Sequence, residues 1–236
     1  DCGITNVEEV EYAKKRKMEV IIIDHHITPP HPPKAYAIVN PKKDDEEYPF
    51  KSFCAAGVVF KVIFALLKSD YAKKIGVKEG TEKWLLDLVA IASVADMVPL
   101  VGENRTLVKY GLIVINKTRR IGLKAMLDLN PSRGFSRPEA ERSNLITTET
   151  IAFMIAPRIN ATSRMAHATT SFELLISEDE VEAENLARQV EDLNNSRKKI
   201  VDKILEEATA KIDSDKGTYN KFPSIIFIGR DEWPVG

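Results

Sequence analysis

Met18-Glu19-Val20-Ile21-Ile22-Ile23-Asp24-His25-His26 decides how this chain is read, because a β-branched apolar run stops at three consecutive ionisable residues. We read Met18–Ile23 as a strand without polar alternation, as expected for one buried on both faces of a parallel sheet. Before it, Asn6 is placed to cap a helix whose third position is Glu9. The closing residues of that helix, Lys14-Lys15-Arg16-Lys17, suit the negative end of its dipole. Asp1-Cys2-Gly3, helix, strand and Asp24-His25-His26 therefore read as the second half of a βαβ unit. Polar groups then gather at the carboxyl ends of neighbouring strands, the edge at which open α/β sheets bind ligands.

Farther along, Pro29, Pro30, Pro32, Pro33 and Pro41 precede Pro49, so 29–49 reads as a surface excursion rather than an element. Ala55–Leu67 predicts a helix packed through Val59, Ile63 and Leu66. Trp84–Val94 is apolar on most faces, with small Ala90, Ala92 and Ser93. It predicts a buried helix that delivers Asp96 before Met97-Val98-Pro99 stops it. Leu107–Ile115 and Leu123–Leu129 read as further helices, and Arg133–Asn144 as a polar loop. Ser177 with Glu180 predicts a capping box for a long helix to about Ile212, with Leu186, Val190, Leu193, Ile200 and Ile204 at helical spacing. Asp213–Lys221 reads as a polar linker and Pro223–Ile228 as a new strand.

At 236 residues, 44% hydrophobic and 29% charged, the composition excludes a disordered chain and is enough for a sizeable core. The longest apolar run, around Val20–Ile23, is far too short to span a bilayer, so no membrane contact is expected. Nothing at the start reads as a signal peptide. Cys2 and Cys54 form neither a disulfide framework nor a CxxC pair, and a reducing cytoplasmic compartment is expected. A formal net charge of -1 excludes coating of nucleic acid through global positive charge. Between Lys117 and Arg142 basic residues outnumber acids, which marks either a nucleic-acid contact or a solvated face.

A carboxylate and two histidines at the end of a buried strand are costly without partners. A divalent cation resolves that cost, and mixed carboxylate and imidazole donors suit Mn²⁺ or a similar ion. A surface turn with a satisfied histidine pair is the other reading. Asp1-Cys2-Gly3, Asp24-His25-His26 and Val94-Ala95-Asp96-Met97-Val98-Pro99-Leu100, in this order and spacing, resemble the second, third and fourth motifs of the DHH phosphoesterases. Further segments resemble the RecJ-type exonucleases of that family: Val39-Asn40-Pro41, Tyr48-Pro49-Phe50-Lys51, residues 54–61, Gly102-Glu103-Asn104-Arg105 and residues 156–165. The last is similar to their GPRINAAGRM loop, with Ala156 for the first Gly and Thr162-Ser163 for Ala-Gly.

That resemblance implies an α/β fold: a DHH-type parallel-sheet domain with flanking helices over 1–176, incomplete at its N-terminus, followed by a helical region. A long connector helix at 177–212 and a linker opening a truncated DHH-associated domain at 213–236 complete the expectation. It also implies a metal-dependent phosphodiester hydrolase, a 5′ to 3′ exonuclease on single-stranded DNA in repair and recombination. Two ions, Mn²⁺ or Mg²⁺, would serve the complete enzyme. By position, Asp1 resembles a metal-bridging carboxylate, His25 an imidazole ligand and Asp96 the carboxylate completing that ion's shell. Of the catalytic pair Asp24 and His26, Asp24 would orient a histidine and His26 would face the substrate phosphate. Arg158, Asn160 and Arg164 would hold phosphate oxygens, with a structural ion pair as the other reading of Arg158.

The family's first motif, of DxD form, is not found here, so the chain alone is expected to bind metal poorly and to have little nuclease activity. Expected partners are single-stranded DNA and a single-strand-binding protein or helicase. Two other functions compete: a DHH phosphodiesterase of short oligonucleotides or cyclic dinucleotides, or a pyrophosphatase, and a non-catalytic replication scaffold on the same core. Retention of Asp1, His25, His26 and Asp96 favours chemistry over the scaffold.

Overall fold

Ile21–Ile23 (β1) pairs in parallel with Ala37–Val39 (β2), in the register Ile21↔Ala37, Ile22↔Ile38 and Ile23↔Val39. Tyr36 N donating to Val20 O (2.8 Å) and Asp24 N donating to Val39 O (3.1 Å) extend the ladder by one bond at each end. The stretch 29–49, expected to hold no element, thus contains β2, because a three-residue strand is specified by its partner rather than by local pattern. Nor is β1 buried on both faces as expected: Ile22 is 3% exposed but Ile21 is 62% exposed.

The structure is a computed structural model that describes residues 1–78, 80–129, 146–215 and 225–233. It is an α/β fold, mostly helical around this small parallel sheet. By their contacts the residues form two units, Asp1–Arg119 with Ser143–Ala156, and Arg120–Arg142 with Pro157–Gly236.

In the first unit, α1 (Val7–Lys15) begins after Asn6, whose side chain makes no capping bond. It ends with Lys17 in the left-handed region (φ 59°), where Met18 N reaches Ala13 O and Lys17 N reaches Lys14 O, the paired bonds of a Schellman cap. Helix α2 (Ala55–Leu67) has the predicted bounds but buries Ala55, Gly57, Val58 and Phe60, whereas of the expected packing positions Val59 and Ile63 are half-buried and Leu66 is exposed; α3 (Asp70–Lys74) follows it. A 3₁₀ turn (Thr81–Leu85) leads into α4 (Leu86–Ala95), and α5 (Gly102–Ile115) starts more than a turn before the expected Leu107. Phe53, Val58, Phe60, Leu86, Val89 and Leu107 form the core, with Ile23 and Val39 of the sheet packed against it. Helices α4 and α5 approach closely at Gly111, where a Cβ would lie 2.3 Å from Leu86 O and 2.5 Å from Ala90 Cβ. A short α7 (Thr148–Thr150) and a π-helical turn (Ile151–Ile155) complete this unit.

The second unit holds α6 (Ile121–Asp128), α8 (Ala156–Met165), α9 (Thr169–Ile176) and α10 (Glu180–Asp215). Helix α10 runs through the first residues of the expected linker, the rest of which lies outside the described residues. It packs on α6 and α9 through fully buried Ala183, Ala187 and Val190, since small residues let helices approach. The expected positions Leu186 and Leu193 are only half-buried. Its cap is Asp179, whose Oδ1 accepts from Glu182 N at 2.7 Å, two residues beyond the predicted Ser177 box. Segment 156–165, expected as a loop, is helix α8; Thr162 and Ser163 suit it by donating their hydroxyls to the carbonyls of Ile159 and Asn160. The predicted strand Pro223–Ile228 is not formed at 225–228, where exposed Ile225 and Phe227 have no pairing strand among the described residues. The predicted polar loop Arg133–Asn144 lies outside the described residues.

Candidate metal centre

Asp24, the first residue past β1, is completely buried and serves as a hub. Its Oδ1 accepts from His25 N (2.7 Å), His26 N (3.1 Å) and His26 Nδ1 (2.7 Å), and its Oδ2 accepts from Ile4 N (3.1 Å). Gly3 permits that last bond: its φ is +121°, and a Cβ there would meet Ile22 Cγ2 at 3.2 Å. Burial by itself would raise the Asp24 pKa. The His26 ring and the three main-chain N–H groups prevail and hold the carboxylate well below its usual range. Asp24 is therefore anionic, and the bond it accepts from Nδ1 fixes the orientation of the His26 ring.

His25 is buried, and burial, with Lys42 and His26 nearby, lowers its pKa against the opposing pull of Asp96 and the Phe53 carbonyl. The ring is thus neutral at pH 7 and carries one proton. Its Nδ1 lies 3.0 Å from Phe53 O, a group that only accepts, so the proton is assigned to Nδ1. Asp96 Oδ2 stands 3.6 Å from the same nitrogen. The other nitrogen, Nε2, is buried, lies 3.2 Å from Asp1 Oδ1 and has no hydrogen-bond partner; with the proton on Nδ1, both atoms are acceptors. An acceptor facing an acceptor is unfavourable until a cation lies between them, and this donor set fits a divalent metal ion.

Asp1, His25 and His26 each offer one ligand atom, and these atoms lie within 4.8 Å of one another. The main-chain nitrogen of Asp1 donates to Ile23 O (3.0 Å), which holds this residue beside the end of β1. The two rings are 4.3 Å apart, the His25 side chain 8% exposed and that of His26 58%, so one is interior and the other open. Asp96, at the C-cap of α4, addresses the opposite edge of His25 from Asp1. Its place is fixed by a Schellman cap: Val98 N reaches Ser93 O, Met97 N reaches Val94 O, and Met97 takes φ 53°.

Two buried asparagines had no assigned role in the sequence. Asn40 donates from Nδ2 to His26 O (2.9 Å) and accepts from Lys42 N (2.9 Å), while Asn104 donates to Ser52 O (2.6 Å) and Pro99 O (3.0 Å). The signal available was an asparagine inside each of two otherwise unexplained segments, Val39-Asn40-Pro41 and Gly102-Glu103-Asn104-Arg105. The remaining members of those segments build a scaffold. Glu103 accepts from Lys61 and, at 2.8 Å, from Tyr48 OH. Although burial opposes it, Glu103 and Tyr48 raise the Lys61 pKa and keep it charged.

Arg158, Asn160 and Arg164 belong to the second unit, on α8. Arg158 is buried and donates from Nε to Glu191 of α10, so the structural ion pair is realised. Asn160 and Arg164 are four residues apart on one helical face and both are exposed. Arg158 points away from that face, and the three do not form one cluster.

Residues 1–93 match the DHH family, N-terminal domain. The chain is 39% identical over 213 residues to the single-stranded-DNA-specific exonuclease RecJ of Bacillus subtilis, covering 90% of this chain and 25% of that protein. It is similar to a crystal structure of exonuclease RecJ bound to manganese, with a TM-score of 0.72 and 32% identity, over 88% of this chain and 48% of the other. A structure of RecJ in complex with Mn²⁺ from Thermus thermophilus matches at a TM-score of 0.70 and 32% identity, over 88% of this chain and 28% of that one. The chain thus spans between a quarter and a half of the length of these relatives.

Proposed function

Since this chain belongs to the DHH family, we propose that it carries the metal centre of a phosphodiester hydrolase, a 5′ to 3′ exonuclease on single-stranded DNA. The observation that carries the reading is His25 Nε2, a buried nitrogen without a hydrogen-bond partner that lies 3.2 Å from the Asp1 carboxylate with His26 in reach. Asp1 and His25 would hold a divalent ion, Mn²⁺ or Mg²⁺, with Asp96 a further carboxylate at the same ring. Such an ion supplies Lewis acidity at a phosphate oxygen and lowers the pKa of water.

The chain's own residues do the rest. By accepting from His26 Nδ1, Asp24 holds that open ring in the orientation in which it would face the substrate phosphate. Phe53 O keeps the proton of His25 on Nδ1 and away from the ligand atom. Exposed Arg164 and Asn160 offer donors to phosphate oxygens, and Arg158, held by Glu191, orders that helix behind them. A repair role, a single-strand-binding protein or helicase as partner and a cytoplasmic setting belong to the same proposal. Two unjoined cysteines support the last, and no helix among the described residues is long and apolar enough to cross a membrane.

The test is degradation of labelled single strands and blunt duplexes of equal length by the natural protein containing this chain, with Mn²⁺. Loss of single strands from the 5′ end, sparing of duplex, and abolition of turnover by His25→Ala are expected. Equal rates on both substrates would remove the proposed specificity, and a His25→Ala protein binding Mn²⁺ as tightly as wild type would remove the ligand assignment.

A further inference from the structure

Behind the neutral ring of His25, two segments far apart in sequence supply the groups at Nδ1: Phe53 O at 3.0 Å and Asp96 Oδ2 at 3.6 Å. One side chain ties these segments together. Asn104, fully buried on α5, sends its amide nitrogen to Ser52 O, beside Phe53, and to Pro99 O, just past Asp96. The amide orientation is unambiguous, because both neighbours are carbonyl oxygens that only accept. It leaves Asn104 Oδ1 buried with no partner among the described residues, an unfavourable state that no aliphatic side chain at this position would incur.

We propose that Asn104 is a positioning residue of the metal centre: its amide clamps the Phe53 and Asp96 segments together so that both address His25 Nδ1, fixing the tautomer that leaves Nε2 for the ion. The inference rests on the metal reading above. Asn104 touches neither the ring nor a ligand atom, so it acts through the two carbonyls it holds. A histidine whose proton moves to Nε2 has no lone pair there for a metal, so loss of the clamp removes ligand-competent rings without removing the ligand.

A second asparagine supplies the control. Asn116, in the same unit, also bridges two segments, donating to Leu112 O (2.8 Å) and Ile146 O (3.1 Å) and accepting from Ile146 N (2.8 Å), with no bond to the His25 surroundings. Asn104→Ala and Asn116→Ala should therefore both destabilise the protein, but only the first should disturb His25. The tautomer is read without metal, from ¹⁵N shifts and long-range proton–nitrogen couplings of the His25 ring. Mn²⁺ alone is then titrated by water-proton relaxation, which registers weak binding as well as strong.

Expected results are an Nδ1–H tautomer for wild type and Asn116→Ala, a mixture for Asn104→Ala, and Mn²⁺ binding weakened about tenfold by Asn104→Ala relative to Asn116→Ala. If the alanine variant does not fold, Asn104→Ser, which retains a single donor, is read against Asn116→Ser in the same way, with a smaller shift expected. An unchanged His25 tautomer in a folded Asn104 variant, or equal Mn²⁺ losses for the two asparagines, overturns the assignment. Absence of Mn²⁺ binding by wild type would instead count against the metal reading, while the tautomer comparison would still decide the role of Asn104.

Discussion

Replacing Asp24 by asparagine tests whether the hub beneath the histidines is an anion. The wild-type carboxylate is completely buried and accepts four hydrogen bonds, three at Oδ1 and one, from Ile4 N, at Oδ2. Asparagine can put its oxygen in place of Oδ1, but its NH₂ then faces Ile4 N, donor against donor. Leaving that buried N–H unpaired costs about 1–3 kcal/mol, and three bonds lose charge assistance at roughly 0.5–1 kcal/mol each. Relief from burying a charge offsets part of this. We expect Asp24→Asn to destabilise the fold by about 2–4 kcal/mol and Asp24→Ala, which abandons all four donors, by about 4 kcal/mol or more.

Urea unfolding followed by circular dichroism, with unchanged slope, measures both. The pH dependence gives a second reading. Because the folded pKa of Asp24 is depressed, its stabilisation is complete above the ordinary carboxylate value near 3.9 and is lost as pH falls below it. Wild type should lose about 1 kcal/mol from this group between pH 5 and pH 3, and the asparagine variant none of it. An asparagine variant within about 0.5 kcal/mol of wild type, or a gap that does not narrow on acidification, would refute the reasoning.

Lys42→Met removes a positive charge that depresses the His25 pKa, so that pKa should rise and the acid limb of Mn²⁺ binding should move to higher pH; NMR titration of the ring reads it. Gly111→Ala drives a Cβ to 2.3 Å from Leu86 O, and overpacking of about 2–3 kcal/mol should lower the melting temperature by roughly 5–10 °C. Met97→Gly should do the opposite. It relieves a left-handed residue that is 87% exposed and raises stability by about 0.5–1 kcal/mol in the same thermal assay.

Sequence alone determined what local chemistry encodes. The β-branched run before Asp24-His25-His26 reads as a strand ending in ionisable groups, and the bounds of α2 were legible from the length of its apolar run, although the side it buries was not. Three motifs in order suffice to suggest the family. Other features belong to partners distant in the chain. Strand β2 lies among prolines and exists because β1 pairs with it, so its own residues hardly announce it. Thr162 and Ser163 read as loop residues until their hydroxyls find carbonyls one turn back, and the ion-pair partner left open for Arg158 is supplied by Glu191 of α10. Most of all, the tautomer of His25 depends on the carbonyl of Phe53, and the placing of that carbonyl on Asn104. Every residue carries a main-chain carbonyl, so no letter of the sequence marks the one that matters, and only the tertiary structure brings it to the ring.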